Sequence, residues 1–479
     1  MTIEHIHNWI NGEACEAADR SWIENINPAT GEVVNLLPRS NEEDAFDAVA
    51  AAHDCYLAGG QGNAGAGGLN AAQRCDLLMA VADAMTERVE EIAAAESHDS
   101  GKPYLNALKG DVPRSIDNLR FFAKAAVAQT TPAVSAGNSI NYVLRQPLGA
   151  VSLITPWNFP LHLLTWKLGP ALAMGNSVIA KPSELTPTTA SILGQLFVEV
   201  GAPEGLFNVV HGYGHEIGDA LVRHPHVKAV SFTGGTETGK IIATTAAPLL
   251  KKTSFELGGK NPSIVFADCD LAQTIATVAR AAFFNAGQVC LCGSRVLVAS
   301  EIYDDFVDAL AEQAILYRDQ IGPLVSREHR EKVISYVELA KQEGGEIIAG
   351  GDTYGDENGA FFEPTVIIGL DHGCRTVQEE IFGPVLTVHP FDGDEHALEL
   401  ANDTDFGLAS SVFTSNLQRA HHFAEHIQSG MVWVNDWNLR DLRVPFGGMK
   451  QSGVGREGGE YSMSFFSQDR NVCVRYNYD

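Results

Sequence analysis

The chain has 479 residues, 45% hydrophobic and 19% charged, an ordinary globular composition too long for a single hydrophobic core. Its 33 Lys and Arg stand against 60 Asp and Glu, a formal net charge of −27 that repels phosphate backbones and argues against a nucleic-acid partner. No apolar run reaches the roughly 18 residues of a membrane helix, and Met1–Asn11 lacks the basic start and apolar stretch of a secretory leader, so the expectation is a soluble, cytoplasmic protein with no membrane partner.

In chain order, the first 120 residues read as an opening hairpin, Trp9–Cys15 with Trp22–Ile26, followed mostly by helix. The Gly-, Ala- and Asn-rich stretch Gly59–Gly68 follows no strand, so it reads as a loop between helices and not as a phosphate cradle. From Gly149 to Phe266 short apolar runs alternate with helical stretches. Strands are predicted at Ala150–Ile154, Ser177–Ala180, Leu206–Val210 and Lys228–Phe232, with helices over Leu164–Met174, Thr188–Val200 and Ile217–Val222. This rhythm predicts a parallel, doubly wound sheet with ligands at the carboxyl ends of its strands. A second α/β unit follows, with strands at Ser263–Phe266, Arg295–Val298 and Pro384–Val388 and helices over Leu271–Ala286 and Ile302–Leu316. Two α/β domains with a cleft between them is the expected architecture.

Three features invite disulfide, metal or dinucleotide chemistry and do not carry it. The eight cysteines, at 15, 55, 75, 269, 290, 292, 374 and 473, have no disulfide or zinc spacing and suit a reducing compartment. His421, His422 and His426 fall on one helix without a glutamate motif, so a surface helix is expected and no metal. Gly453-Val-Gly-Arg-Glu-Gly458 matches the dinucleotide fingerprint letter for letter, but no βαβ unit surrounds it.

Other segments carry more. Asn285-Ala-Gly-Gln-Val-Cys290-Leu-Cys-Gly-Ser-Arg295 sets a cysteine on a glycine-containing turn between a helix and a strand, the place for an accessible thiolate; a buried structural cysteine is the plainer alternative. In Phe255-Glu256-Leu-Gly-Gly-Lys260, a carboxylate at a strand end before two glycines can approach a ligand and be partly desolvated, as a general base requires. Its alternative is a salt bridge to Lys260. In Thr155-Pro-Trp-Asn158-Phe-Pro160 two prolines fix the Asn158 amide, as an oxyanion donor must be fixed, unless it only caps a turn. Lys181-Pro-Ser-Glu184 ends the next strand, where ribose and adenine bind in such sheets. Ser231-Phe-Thr-Gly234-Gly235 ends another strand and opens a helix whose N-terminus can face a pyrophosphate. Together these ends could meet one ligand.

At these residues the chain resembles the aldehyde dehydrogenase superfamily, from Ile26-Asn-Pro-Ala-Thr-Gly31 to Phe446-Gly-Gly-Met-Lys450, with FELGGKNP and GQVCLCGSR the most specific segments. The resemblance implies an aldehyde dehydrogenase-like α/β fold. Its parts would be a Rossmann-type NAD-binding domain (1–124 and 143–257), an α/β catalytic domain (258–445) and a small oligomerisation β-unit (125–142 and 461–479) built on a hairpin near Ala125–Tyr142. A homodimer or homotetramer is implied. Residue by residue, Cys290 matches the nucleophile, Glu256 the base, and Asn158 with the Cys290 N–H the oxyanion hole. Ile154, Trp157, Lys181, Ser183, Glu184, Gly214, Gly234, Gly235, Leu257, Glu380 and Phe382 match the cofactor-binding positions. Glu184 would favour NAD over NADP, because a carboxylate suits two ribose hydroxyls and repels a 2′-phosphate. One departure stands out: the family's Gly-Asp-Pro segment is missing, and Leu316-Tyr-Arg-Asp-Gln runs straight into Ile321-Gly-Pro-Leu324.

Asp111-Val-Pro-Arg114…Arg120 and Trp437-Asn-Leu-Arg440…Arg443, with Leu164-Thr-Trp-Lys-Leu-Gly-Pro170 and Leu291-Cys292, are similar to the branch that oxidises 2-aminomuconic and 2-hydroxymuconic semialdehydes. There, arginines matching Arg114 and Arg440 hold the substrate carboxylate. Planar guanidinium forks suit that task, at roughly 1.5–3 kcal/mol per charged hydrogen bond, unless both make surface ion pairs. The rival readings are a broad-specificity or betaine-type enzyme, a CoA-acylating relative, which would not need Glu256, and a non-catalytic, crystallin-like structural protein.

Overall fold

The computed structural model describes residues 4–59 and 65–476. Five parallel strands form the heart of the first sheet, in spatial order Lys252–Glu256, Val227–Thr233, Ala150–Ile154, Ser177–Lys181 and Phe207–Val209. Ala150–Ile154 and Ser177–Lys181 are buried at every position, as expected of parallel strands covered on both faces by helices. Antiparallel strands close both edges: Gly453–Val454 beside Lys252–Glu256, and Asn8–Ile10 with Glu13–Cys15 beside Phe207–Val209.

The second sheet has seven strands, in the order Glu346–Ala349, Thr365–Ile368, Val385–Phe391, Arg295–Ala299, Pro262–Val265, Ala409–Phe413 and Met431–Val434, parallel except at the first edge. A third, of three antiparallel strands, joins Ala133–Ala136, Ser139–Pro147 and Ser467–Arg475, the last two paired across nine positions. Among the described residues no helix is long and apolar enough to cross a membrane.

Several predicted elements shift. The opening segments do not pair with each other: Asn8–Ile10 folds back on Glu13–Cys15, and Trp22–Ile26 pairs with Val33–Pro38 in a small separate sheet. The helix expected from Leu164 starts at Pro160, where proline has no N–H to forfeit. The helix expected to reach Ala286 stops at Phe283, because Asn285 and Ala286 take left-handed φ angles of +53° and +54°. The hairpin expected at Ala125–Tyr142 lies later: Ala125 belongs to the helix Val112–Val127, and the hairpin spans Ala133–Pro147. Of the loop expected at Gly59–Gly68, Gly60–Ala64 lie outside the described residues and Ala66–Gly68 form a single helical turn. The short connection before Ile321 is a closed turn, with Gln320 N and Ile321 N both donating to Tyr317 O. His421, His422 and His426 sit on the exposed face of the helix Leu417–His426.

Candidate active site

The order of the five parallel strands reverses between Ala150–Ile154 and Val227–Thr233, so the loops after Ile154 and Thr233 flank a crevice. The strand ends are level: Ile154 pairs with Lys181 and Phe232, and Thr233 with Glu256. A cavity of about 250 Å³ opens there, lined among others by Trp157, Asn158, Gly235, Glu256, Cys290 and Phe382. A second cavity of about 290 Å³ is lined by Arg114, His162, Asn438 and Arg440, and it too is lined by Asn158 and Cys290. Those two residues are therefore where ligands of the two cavities would meet.

Cys290 lies between the turn at Asn285–Gly287 and the strand Arg295–Ala299. Asn261 Nδ2 donates to the backbone oxygens of Cys290 and Cys292 at 2.7 and 2.9 Å, which ties the FELGGKNP segment to the cysteine segment. Gly259 fits beneath, since a Cβ there would stand 2.7 Å from Cys290 O. Burial, then the carboxylates of Glu380 and Glu256, push the thiol up to about 12, while Arg440 opposes them. The shift favours the protonated thiol, and a thiol in that state is a poor nucleophile until a base takes its proton.

Asn158 is held at both ends of its residue. Its Nδ2 donates to Gln288 O at 3.0 Å, and its own backbone oxygen accepts from Lys102 Nζ and Asn285 Nδ2, each at 3.2 Å. One Nδ2 hydrogen stays available to a ligand oxygen.

Glu256 ends its strand fully enclosed, and neither carboxylate oxygen has a hydrogen-bond partner. Burial first and the neighbouring Glu457 second raise it well above the usual carboxylate range; Lys167, Arg440 and Arg456 act the other way. Lys167 Nζ in turn donates to Glu457 Oε1 and to Ser231 Oγ, at 2.5 and 2.9 Å. Gly447, at φ +151°, admits the carboxylate, because a Cβ there would lie 2.9 Å from Glu256 Oε1. The salt bridge to Lys260 is not formed; Lys260 Nζ donates to Thr376 O at 2.9 Å.

On the cofactor side, Glu380 Oε1 accepts from Gly259 N at 2.9 Å, and a Cβ on Gly258 would collide with Glu380 Oε2 at 2.3 Å. Phe382, with a left-handed φ of +62°, meets Trp157 edge-on at 5.3 Å, and its backbone oxygen lies 2.7 Å from His329 Nε2. Gly234, Gly235 and Leu257 line the same cavity. Ile154, Lys181, Ser183, Glu184 and Gly214 do not; they lie at the ends of the adjoining strands and at the start of the helix Gly214–Arg223. Lys181 Nζ stands 3.7 Å from Glu184 Oε2 and donates to Pro182 O at 2.9 Å.

Arg440 is packed between the rings of Trp166 and Phe446, 5.3 and 4.0 Å from their centroids, and burial lowers it only to about 10, so it stays charged. Arg114 Nη2 is buried with no hydrogen-bond partner. Neither arginine makes a salt bridge among the described residues.

Residues 15–472 match the aldehyde dehydrogenase family. The chain belongs to that family. A 2-aminomuconic 6-semialdehyde dehydrogenase of a Pseudomonas species is 44% identical, with 99% of this chain and 98% of that one covered. The 2-hydroxymuconic semialdehyde dehydrogenase of Pseudomonas sp. strain CF600 is 42% identical, over 99% of this chain and all of that one. The NAD+ complex of an aldehyde dehydrogenase from Bacillus cereus superposes with a TM-score of 0.95 at 38% identity, covering 99% and 97% of the two chains.

Within this aldehyde dehydrogenase frame, the sequence reading overlooked the groups that surround the assigned residues. Lys167 was readable as a lone cation in the apolar run of the helix Pro160–Ala173, a position that demands a buried partner. That partner, Glu457, sits inside the glycine pattern set aside as a false fingerprint: Gly453 pairs with Glu256, and Glu457 follows four residues on. Lys102 binds Asp111 nine residues on, but its contact with the backbone oxygen of Asn158, 56 positions away, could not be read from the sequence.

Proposed function

We propose that the chain is an NAD-dependent dehydrogenase that oxidises a carboxylate-bearing semialdehyde, of the 2-hydroxymuconic or 2-aminomuconic type, through a thioester on Cys290. The observation that carries this reading is the second cavity, where Arg114, with Nη2 buried and unpartnered, and Arg440, without a salt bridge among the described residues, line one chamber with Cys290. Charges left unpaired in a partly buried site call for an anionic ligand. The names of the Pseudomonas relatives agree with it.

The first cavity suits a dinucleotide. The helix Thr236–Ala246 begins without a side-chain cap, nothing crowds Gly235, and the hydroxyls of Thr233 and Thr236 are buried without partners. A phosphate at that helix start would satisfy them. Lys181 and Glu184 would take the adenosine ribose, and Glu380 with Phe382 and Trp157 the nicotinamide end. Glu184 would disfavour NADP, so comparable efficiency with NADP would remove its role. NAD, when bound, supplies the two-electron acceptor.

The protein supplies the remainder. Cys290 gives its proton to solvent water and attacks the aldehyde carbon as thiolate, and the resulting oxyanion accepts hydrogen bonds from Asn158 Nδ2 and the Cys290 N–H. Two-electron oxidation leaves the acyl group on sulfur. Glu256 then takes a proton from water, which attacks the thioester and frees the acid and the thiolate. The exposed strands Ala133–Ala136 and Ser467–Arg475 leave an open three-stranded sheet, which we read as the surface through which two copies would associate.

The test follows NAD reduction with 2-hydroxymuconic semialdehyde and with benzaldehyde. Cys290→Ala should abolish turnover of both. Arg114→Ala and Arg440→Ala should raise KM about 10-fold or more for the semialdehyde only, from the loss of a charged hydrogen bond. Equal effects on both aldehydes would discard the clamp and leave the chemistry standing.

A further inference from the structure

We propose that His162 and Asn438 form a subsite for a neutral hydrogen-bonding substituent, a hydroxyl or an amino group, on the carbon beside the substrate carboxylate. This rests on the clamp reading of Arg114 and Arg440 and specifies what the same cavity demands in addition.

Both side chains line the cavity with the two arginines. His162 Nε2 and Asn438 Oδ1 are buried, and neither has a hydrogen-bond partner. A buried polar atom without a partner is costly, and a site with several such atoms is built to receive a ligand that supplies them. Apart from Asp111, whose carboxylate is taken by Lys102, and Asn158 and Cys290 at the reacting end, the rest of the wall is mainly apolar and aromatic, with Phe159, Phe284 and Phe446, which suits a flat conjugated chain.

The chemistry of the two groups limits the ligand. Burial, with Arg440, Arg114 and Lys102 around it, holds His162 far below its ordinary range, so the imidazole is neutral and adds no third cation to the clamp. A neutral imidazole offers one donor and one acceptor. Asn438 Oδ1 can only accept, so the substituent must carry a hydrogen, which a hydroxyl or amine does and an ether or ketone does not. Asn438 is held in the left-handed region, at φ +58°, and Asn118 Nδ2 donates to His162 O at 3.2 Å, so both groups are set by the backbone. A bare carboxylate would satisfy the arginines and leave Asn438 unpaired. Desolvating it without a partner is the basis of discrimination.

The experiment compares kcat/KM for 2-hydroxymuconic 6-semialdehyde, for the same chain lacking the hydroxyl (6-oxohexa-2,4-dienoate) and for benzaldehyde. The wild type should prefer the hydroxylated substrate over the unsubstituted acid by about 10- to 100-fold, the worth of an unpaired buried polar group. Asn438→Ala and His162→Phe, the latter keeping a ring against Phe159, should shrink that ratio toward one, by losing activity on the hydroxylated substrate and, for Asn438→Ala, by gaining it on the unsubstituted acid. A wild-type ratio near one overturns the subsite without recourse to any variant. So do variants that lose both acids equally. Benzaldehyde separates the two ideas: if it is oxidised as well as either acid, the arginine clamp itself fails and takes the subsite with it; if both acids are strongly preferred yet equal, only the subsite fails.

Discussion

Lys102 Nζ donates to the backbone oxygen of Asn158 at 3.2 Å and to Asp111 Oδ2 at 2.6 Å. A buried ammonium thus braces the loop that carries Asn158, the proposed oxyanion donor, and its partner Asp111 lines the same cavity as Arg114 and Arg440. Lys102→Met removes the brace and leaves Asp111 unpaired. Removing an oxyanion donor outright costs about 10²–10³ in kcat, so loosening one should cost about 10-fold. NAD affinity, read by protein fluorescence, should be unchanged; a kcat within twofold of wild type would show that Asn285 alone holds the loop.

The same ammonium lies 3.7 Å from Glu96 Oε1, and both Glu96 oxygens are buried without hydrogen-bond partners. Burial raises Glu96 to about 7, with the nearby carboxylates adding and Lys102 opposing. A carboxyl raised in the folded state binds more protons there than when unfolded, so its contribution falls as pH rises from about 4.5 to about 7. Glu96→Gln should therefore gain Tm relative to wild type as pH is taken from 5 to 8. A constant difference between the two melting curves would rule out this titration.

Asn158→Ala tests the oxyanion role directly. It should lower kcat by about 10²–10³ while KM for NAD stays put. Rapid-mixing traces should show the loss in the first turnover, before thioester hydrolysis.

Glu256→Gln should separate the two halves of the reaction. The first turnover should still release one equivalent of NADH per active site, and the following steady rate should fall about 10²–10⁴-fold, the range for a positioned general base. If the burst itself vanishes, Glu256 also takes the Cys290 proton.

Glu457 is the neighbouring charge that helps to raise Glu256. Glu457→Gln removes that repulsion and leaves Lys167 without its carboxylate, and both changes favour ionised Glu256. The acidic limb of the hydrolysis rate, set by protonation of Glu256, should move to lower pH. A shift to higher pH, or none, would mean that burial alone sets the base.

Much of this protein is legible without coordinates. Strand-ending motifs are local: Glu256 before two glycines, Asn158 between prolines and Cys290 on its turn are each candidates that gain a role only together, and the βαβ rhythm of 149–266 predicts where strand ends gather. The opening hairpin was misread because pairing depends on which strand lies within reach. Trp22–Ile26 alternates equally well whether it meets Trp9–Cys15 or, as it does, Val33–Pro38.

The sequence by itself singled out Cys290, Glu256, Asn158, Arg114 and Arg440 as candidates, since a residue type in a local backbone setting and a family motif can be read from it. Only the tertiary structure decided their electrostatics. Lys167 and Glu457 are 290 positions apart, and Lys102 reaches Asn158 across 56. Burial and neighbouring charge set a proton's affinity, and both depend on which distant segments the fold brings within a few ångströms.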